Sequence, residues 1–370
     1  MSNMFSKSIV SGCAIFSMLF GSGNIVFPLV LGKACADNWI LALFGWLVAA
    51  VVIPMTGYYG AMLFDADNKK LLAPIGKHLT FALMFLIMMM VGPLGVGARI
   101  VNVAFGGIHN LVPSMPLVLF SGIYTLLTVL IAYNPGKIIQ IIGVVFTPLK
   151  FGGVAVIVLG ALYLGGPLEH VGDTSNAAAL LNGFNMGYQT MDLTASLFAV
   201  GSVYYYIKNA LPKSDQDDKK KILKLTGAAC VIGGVILAIA YLGLLLIGVQ
   251  YSDQLTDTPS EEIFSKIAEL SMGYSASWFV SIVIAVSCLA TATFLCSVFT
   301  DYIRQDILKD KFKRTPILII VGMTTFLMSL LGFGQICQIL GAILEKVYPA
   351  LMVFIGCRII YYYAVINKQK

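Results

Sequence analysis

Apolar stretches of at least about 17 residues, each long enough to cross a hydrocarbon core of about 30 Å as a helix, recur along the whole 370-residue chain. Lipid offers no partner to free backbone N–H and C=O groups, so only helices and closed barrels cross it. The runs here are apolar on every face and do not alternate, which excludes a barrel and leaves an all-α polytopic membrane protein. Composition agrees. The chain is 58% hydrophobic and 11% charged, with a mean hydropathy of +0.88, where soluble domains carry about 25% charged residues. A soluble enzyme, a nucleic-acid binder and a disordered chain are thereby excluded.

About ten spans are expected, near residues 9–32, 39–62, 79–104, 117–133, 138–163, 182–207, 225–249, 274–300, 316–333 and 336–364. Placed on this frame, nineteen of the 24 Lys and Arg residues fall on one side, from Lys7 through Lys69, Lys70, Lys77 and Lys137, the runs Lys208–Lys224 and Arg304–Arg314, to the tail. The other side holds Lys33 and Lys266, with acids in its larger loops, among them Glu169, Asp173, Glu261, Glu262 and Glu269. The positive-inside rule then puts both termini in the cytoplasm, as an even span count requires. The net charge of +6 follows from this topology and needs no acidic partner. The first run is expected to be a span and not a cleaved leader, since it is too long for a leader's apolar core and contains Gly21, Gly23, Asn24 and Pro28.

No metal or cofactor is expected. Cys13, Cys35, Cys230, Cys288, Cys296, Cys337 and Cys357 lie mostly inside spans without a CxxC pair and read as small apolar fillers. His78, His109 and His170 fall at span ends or in loops. The chain lacks GxSxG, HExxH and a phosphate loop, and the run Gly92, Gly95, Gly97 reads as a close helix-packing face.

Ionisable groups inside spans are expensive, about 2.5–3.5 kcal/mol each at the helix centre, and so mark function. They are Arg99, Lys150, Asp192, Glu345, Lys346 and Arg358. Lys150 and Asp192 fall nearest the bilayer centre, about 18 Å and about 15 Å from their span ends. Arg99 and Arg358 are close enough to span ends to snorkel. One of the adjacent pair Glu345 and Lys346 is expected to line a cavity. At the same depth, spans 1 and 6 carry helix-breaking sequence, Gly21-Ser22-Gly23-Asn24 and Gly187-Tyr188-Gln189-Thr190-Met191-Asp192. Interrupted helices in corresponding positions of two halves point to a transporter's substrate site. Amide groups freed at such a break attract a carboxylate, and freed carbonyls attract a cation or ammonium, which together suit an amino acid zwitterion. The substrate-binding candidates are therefore Gly21, Ser22, Gly23, Asn24, Gly187, Tyr188, Thr190 and Asp192. Phe105, Leu193, Phe198 and Phe294 are the expected apolar wall.

The run Phe20-Gly-Ser-Gly-Asn-Ile-Val-Phe-Pro28 resembles the first-helix signature of the BrnQ (LIVCS) branched-chain amino acid permeases. Further likenesses follow in order: Gly92-Pro-Leu with Arg99, Asn134-Pro-Gly-Lys137, Thr147-Pro-Leu-Lys150, Gly187-Tyr-Gln-Thr-Met-Asp192 and Tyr348-Pro349. The resemblance implies an amino acid–polyamine–organocation superfamily protein of the plasma (inner) membrane with the LeuT-type 5+5 inverted repeat. The whole chain, 1–370, would be one transporter domain, its first repeat about 7–164 and its second about 176–365. It further implies ion-coupled symport of leucine, isoleucine and valine. Family members usually have twelve spans, so the expected ten keep the core without the last pair, and the oligomer is left open. The family's paired span 8 hydroxyls appear as Ala290-Thr291, with one hydroxyl remaining. The Ser17 and Phe20 carbonyls with Thr291 and Ser287 are the ion-coupling candidates for Na+, because hard cations take carbonyl and hydroxyl oxygen. Lys150 supplies the alternative, a permease of another apolar amino acid with H+ coupling through a buried ammonium.

Rival classes fit less well. A membrane-embedded enzyme needs a nucleophile and base or a metal cluster at the midplane, and a lone Lys and Asp on separate helices supply neither. A non-transporting amino acid sensor would carry a soluble output domain. A channel would conduct without saturation. Besides a small-molecule amino acid, the one expected partner is the lipid bilayer.

Overall fold

The computed structural model describes residues 2–133, 147–168 and 174–365, and among them every regular element is helical. The motif at 134–137, the loop acids Glu169 and Asp173, His170 and the tail lysines lie outside the described residues, as do the side chains of Lys150 and Phe198.

The chain opens with α1 (Ser2–Leu19) and α2 (Gly23–Ala34). From Ser6 to Ala34 the two form one apolar path bent by 73° at the Gly21–Gly23 break. Next come α3 (Trp39–Leu47), one π turn (Val48–Val52) and α4 (Ile53–Leu63), which together make a single crossing. After the short α5 (Asn68–Leu72), α6 (Lys77–Val91) and α7 (Val96–Leu111) flank a wide turn. There Leu94 N–H reaches the Met89 carbonyl and Gly97 N–H the Gly92 carbonyl, each five residues back. The glycines read as a packing face thus also relax the helical ladder. Helices α8 (Leu117–Tyr133) and α9 (Thr147–Leu164) complete this part.

A second interrupted pair follows, α10 (Asn176–Gln189) and α11 (Asp192–Ala210). Met191, at the break, takes the left-handed conformation, φ 63°, which costs a side-chain-bearing residue energy and marks a fixed reversal of the ladder. The chain continues through α12 (Lys219–Gln250), the short α13 (Ile263–Met272), α14 (Tyr274–Tyr302), α15 (Arg314–Ser329) and α16 (Phe333–Ala364). Asp218 starts α12 by accepting from the amides of Lys220 and Lys221, a carboxylate cap on orphan N–H groups.

By length and composition, five segments can cross a membrane (36–63, 77–111, 219–250, 274–307 and 333–364), and the bent pair makes a sixth. The other four expected spans fall on shorter helices, Leu117–Tyr133, Phe151–Leu164 and Arg314–Ser329, and on the interrupted pair α10 and α11.

Glycines set the crossings that position the two breaks. At Gly183 of α10 and Gly45 of α3, an added Cβ would fall inside the carbonyl oxygens of Ala42 and Leu180. The two backbones therefore touch, as small residues permit in a bundle without a hydrophobic drive between helices. Gly32 of α2 and Gly248 of α12 make the same contact against Leu245 and Leu29. Both α1 and α2 pack on α12, α3 packs on α10, and α7 packs on α14.

Candidate functional site

The break in the first path is tied to the break in the second. Asn24, in the first turn of α2, accepts from the Gly21 amide at 3.0 Å, which satisfies an N–H that the interruption leaves without a helical partner. Its Nδ2 group donates to Asp192 Oδ2 at 2.7 Å and also to the Tyr241 hydroxyl. The Tyr241 hydroxyl in turn donates to Asp192 Oδ2 at 3.1 Å. Asn24, Asp192 and Tyr241 are all fully or almost fully buried, so this triangle spans α2, α11 and α12 away from bulk water.

Asp192 stands in the first turn of α11, where the helix dipole favours a carboxylate. It is not the cap of that helix: Met191 holds that place and no side chain caps it. The described partners of the Asp192 carboxylate are instead on other helices.

On the far side of the break, Arg99 of α7 is 3% exposed. Its Nη1 donates to the Gln189 carbonyl at 2.8 Å, and its guanidinium stands 5.5 Å from the centre of the Phe27 ring. Arg99 therefore does not snorkel. It donates to a carbonyl at the end of α10, where the helix itself supplies no amide partner, and the face of Phe27 lies against its charge. Thr190 Oγ1 donates to the Gly187 carbonyl at 2.8 Å and Thr194 Oγ1 to the Met191 carbonyl at 2.7 Å, closing the turn from inside.

Aromatic rings surround the triangle. Tyr241 meets Trp46 edge-on at 5.4 Å and stacks with Phe20 at 6.3 Å. Tyr188 lies 5.7 Å from Tyr348, whose hydroxyl receives the Thr194 amide. Trp46 Nε1 and Gln189 Oε1 are buried without a protein hydrogen-bond partner among the described residues. Such groups cost about 1–3 kcal/mol each when left unpaired.

Several expectations need correction. Gly187 lets α10 lie close on the second path, since a Cβ there would stand 2.6 Å from Ala49 Cβ, while its carbonyl stays at the break and accepts from Thr190 Oγ1. Phe105 packs on His109 and Phe120, and Phe294 is 40% exposed, so neither walls the breaks, whereas Leu193 is buried beside them. Both Glu345 and Lys346 are exposed. Arg358 donates to the carbonyls of Lys70 and Leu71 and covers the Phe64 ring. Of the ion-coupling candidates, Phe20 and Ser287 are buried and Ser17 is exposed. Thr291 Oγ1 donates to the Ser287 carbonyl at 3.4 Å, keeping its lone pairs as acceptors. The backbone of Lys150 lies in the first turn of α9.

Sequence reasoning did not assign Tyr241 and Tyr348 to the site. Their signal was available: a phenol in the middle of an apolar helix needs a partner when buried.

An apolar helical bundle in which two interrupted paths meet at a buried carboxylate defines a membrane transport protein, held in the bilayer as an integral component. The chain belongs to the branched-chain amino acid transport protein family, whose model matches residues 4–369. The branched-chain amino acid permease BrnQ of Bacillus subtilis (strain 168) is 27% identical over 354 residues, covering 93% of this chain and 79% of the relative. BrnQ of Escherichia coli (strain K12) is 28% identical over 354 residues, covering 93% and 78%. The branched-chain amino acid transport system 2 carrier protein of Pseudomonas aeruginosa is 26% identical over 353 residues, covering 93% and 78%. Among solved structures, a Na+-coupled sialic acid symporter in a substrate-bound outward-open state matches 87% of this chain and 74% of its own, at TM-score 0.49 and 12% identity. The family is one of transporters and not of enzymes.

Proposed function

We propose that this protein is a secondary active importer of leucine, isoleucine and valine, working by ion-coupled symport with alternating access in the plasma membrane. The single observation that carries the reading is the contact between the two helix breaks through Asn24 and Asp192. An amino acid seated there meets the N-terminal amides of α2 at Ser22 and Gly23 with its carboxylate. Its ammonium meets the Asp192 carboxylate and the Thr190 and Tyr188 end of α10. Asn24 and Tyr241, which hold Asp192 in the closed contact, exchange those hydrogen bonds for substrate. The apolar and aromatic side chains around the triangle favour a branched aliphatic side chain over a charged one.

The reciprocal packing supports a 5+5 inverted repeat, 7–164 and 176–365. The first path of one half lies on the second of the other, α1 and α2 on α12 and α3 on α10, and the third paths meet as α7 on α14. Both termini are then cytoplasmic, on the Lys- and Arg-rich side. We assign coupling to Na+ through the Ser17 and Phe20 carbonyls with Ser287 and Thr291, against H+ coupling through Lys150. Uptake of labelled isoleucine into proteoliposomes under inward sodium or inward proton gradients separates the two. Sodium-driven, saturable uptake that Thr291→Val slows supports the first. Proton-driven uptake that Lys150→Ala abolishes replaces it.

A further inference from the structure

A lateral apolar groove of about 620 Å³ runs between the second path and α12, with Ile359 of α16 also in its lining. One wall is built by Val52, Met55 and Tyr59, and the other by Gly227, Val231 and Ala238. Gly227 of α12 adds no side chain to the groove. A Cβ there would meet Tyr59 Cε2 at 3.7 Å and nothing nearer, so a small side chain would fit without a clash and a larger one would extend into the groove.

Helical geometry connects this groove to charge. At about 100° per residue, Lys220, Lys224, Gly227, Val231, Val235 and Ala238 lie within about 40° of one line along α12. Both lysines are exposed. Their neighbours are neutralised, Lys219 by Asp65 at 3.0 Å and Lys221 by Asp215 at 2.7 Å. No acidic partner within ion-pair distance of Lys220 or Lys224 occurs among the described residues. The groove therefore ends at two uncompensated positive charges.

Length fits as well. From Gly227 to Ala238 α12 rises about 16 Å, which matches the roughly 15 Å of hydrocarbon in one leaflet. Lys224 begins about 4.5 Å below Gly227, at the level where a head group sits and where lysine stems reach the interface. We propose that the groove is a binding site for one anionic phospholipid, its acyl chain along Gly227–Ala238 and its phosphate held by Lys220 and Lys224. A seated chain braces the second path against α12. These elements carry the interrupted helices, since α12 holds α1 and α2, and α3 and α4 hold α10 and α11.

The test is native mass spectrometry of the full chain released from detergent, titrated with phosphatidylglycerol or with zwitterionic phosphatidylethanolamine. The double variant Lys220→Gln with Lys224→Gln is expected to weaken phosphatidylglycerol binding about fivefold per lysine removed and to leave phosphatidylethanolamine unchanged. The exposed control pair Lys311→Gln with Lys313→Gln is expected to bind as the parent does. Gly227→Leu, which fills the groove, weakens both lipids. Parental phosphatidylglycerol affinity in the Lys220 and Lys224 variant overturns the proposal. An equal loss in the control pair reduces it to general surface charge and overturns it too. A dimer that Gly227→Leu dissociates with no change in lipid count assigns the groove to a second copy of the chain instead.

Discussion

Replacing Tyr241 by Phe isolates the one hydroxyl that joins three helices at the breaks. The ring keeps its edge contact with Trp46 at 5.4 Å and its stack with Phe20 at 6.3 Å, so no cavity forms and no apolar surface is lost. Two hydrogen bonds go: the one Tyr241 receives from Asn24 Nδ2 and the one it donates to Asp192 Oδ2 at 3.1 Å. In water-soluble cores a bond to a charged group is worth about 1.5–3 kcal/mol. In bilayers, interhelical polar contacts average about 0.6 kcal/mol with a maximum near 1.7, because the membrane-inserted unfolded chain also finds partners. A buried carboxylate acceptor with donors from two helices belongs at the upper end. The coupling between Tyr241→Phe and Asp192→Ala, which removes the acceptor, in a double-mutant cycle is therefore expected at about 1.5 kcal/mol. The assay is denaturant unfolding in mixed micelles of the parent, both single variants and the double variant. Additivity within about 0.5 kcal/mol would mean that the two groups do not share an interaction, and the triangle as the organiser of the breaks would be refuted.

Arg99→Gln leaves the Gln189 carbonyl without its charged donor and is expected to cost about 2–3 kcal/mol, read as a lower unfolding midpoint together with reduced isoleucine uptake. Gly183→Ala forces a methyl into the Ala42 carbonyl, so α3 and α10 must separate; overpacking of about 3 kcal/mol or more should appear as loss of the monodisperse peak in size-exclusion chromatography. Burial, then the neighbouring Glu262, push the Glu261 carboxyl above the ordinary glutamate value. The folded state thus holds its proton more tightly than the unfolded one, and stability is lost as pH rises from the ordinary value, about 4.3, through the raised one. Glu261→Gln should flatten that fall in melting temperature against pH. Asp192→Asn preserves size and a hydrogen-bond acceptor, yet uptake should fall at least about tenfold if the carboxylate meets a charged ligand.

The membrane class, the helix breaks and the buried carboxylate were legible because they are local: a run of apolar residues, a Gly-Ser-Gly, an Asp where no charge belongs. The partners that define the site were not. Nothing in the sequence says that Tyr241, forty-nine positions after Asp192, faces the same point, or that Arg99 reaches the Gln189 carbonyl ninety positions away. These contacts depend on helix rotation, which here is fixed by backbone touching at Gly45, Gly183, Gly32 and Gly248. The same dependence explains the errors at the wall. Phe105 and Phe294 are apolar on helices that line the bundle, but rotation turns Phe105 toward His109 and Phe120 and leaves Phe294 exposed. Gly187 adjoins the break and also packs closely on Ala49, a contact that the sequence alone does not announce.

The most direct test of the account is labelled isoleucine uptake by the full chain in proteoliposomes, parent against Asp192→Asn, with unlabelled leucine and valine as competitors. The account predicts saturable, sodium-driven uptake that both competitors suppress and that Asp192→Asn abolishes. Uptake by Asp192→Asn equal to the parent would contradict the site, and no saturable uptake under either a sodium or a proton gradient would contradict the branched-chain importer.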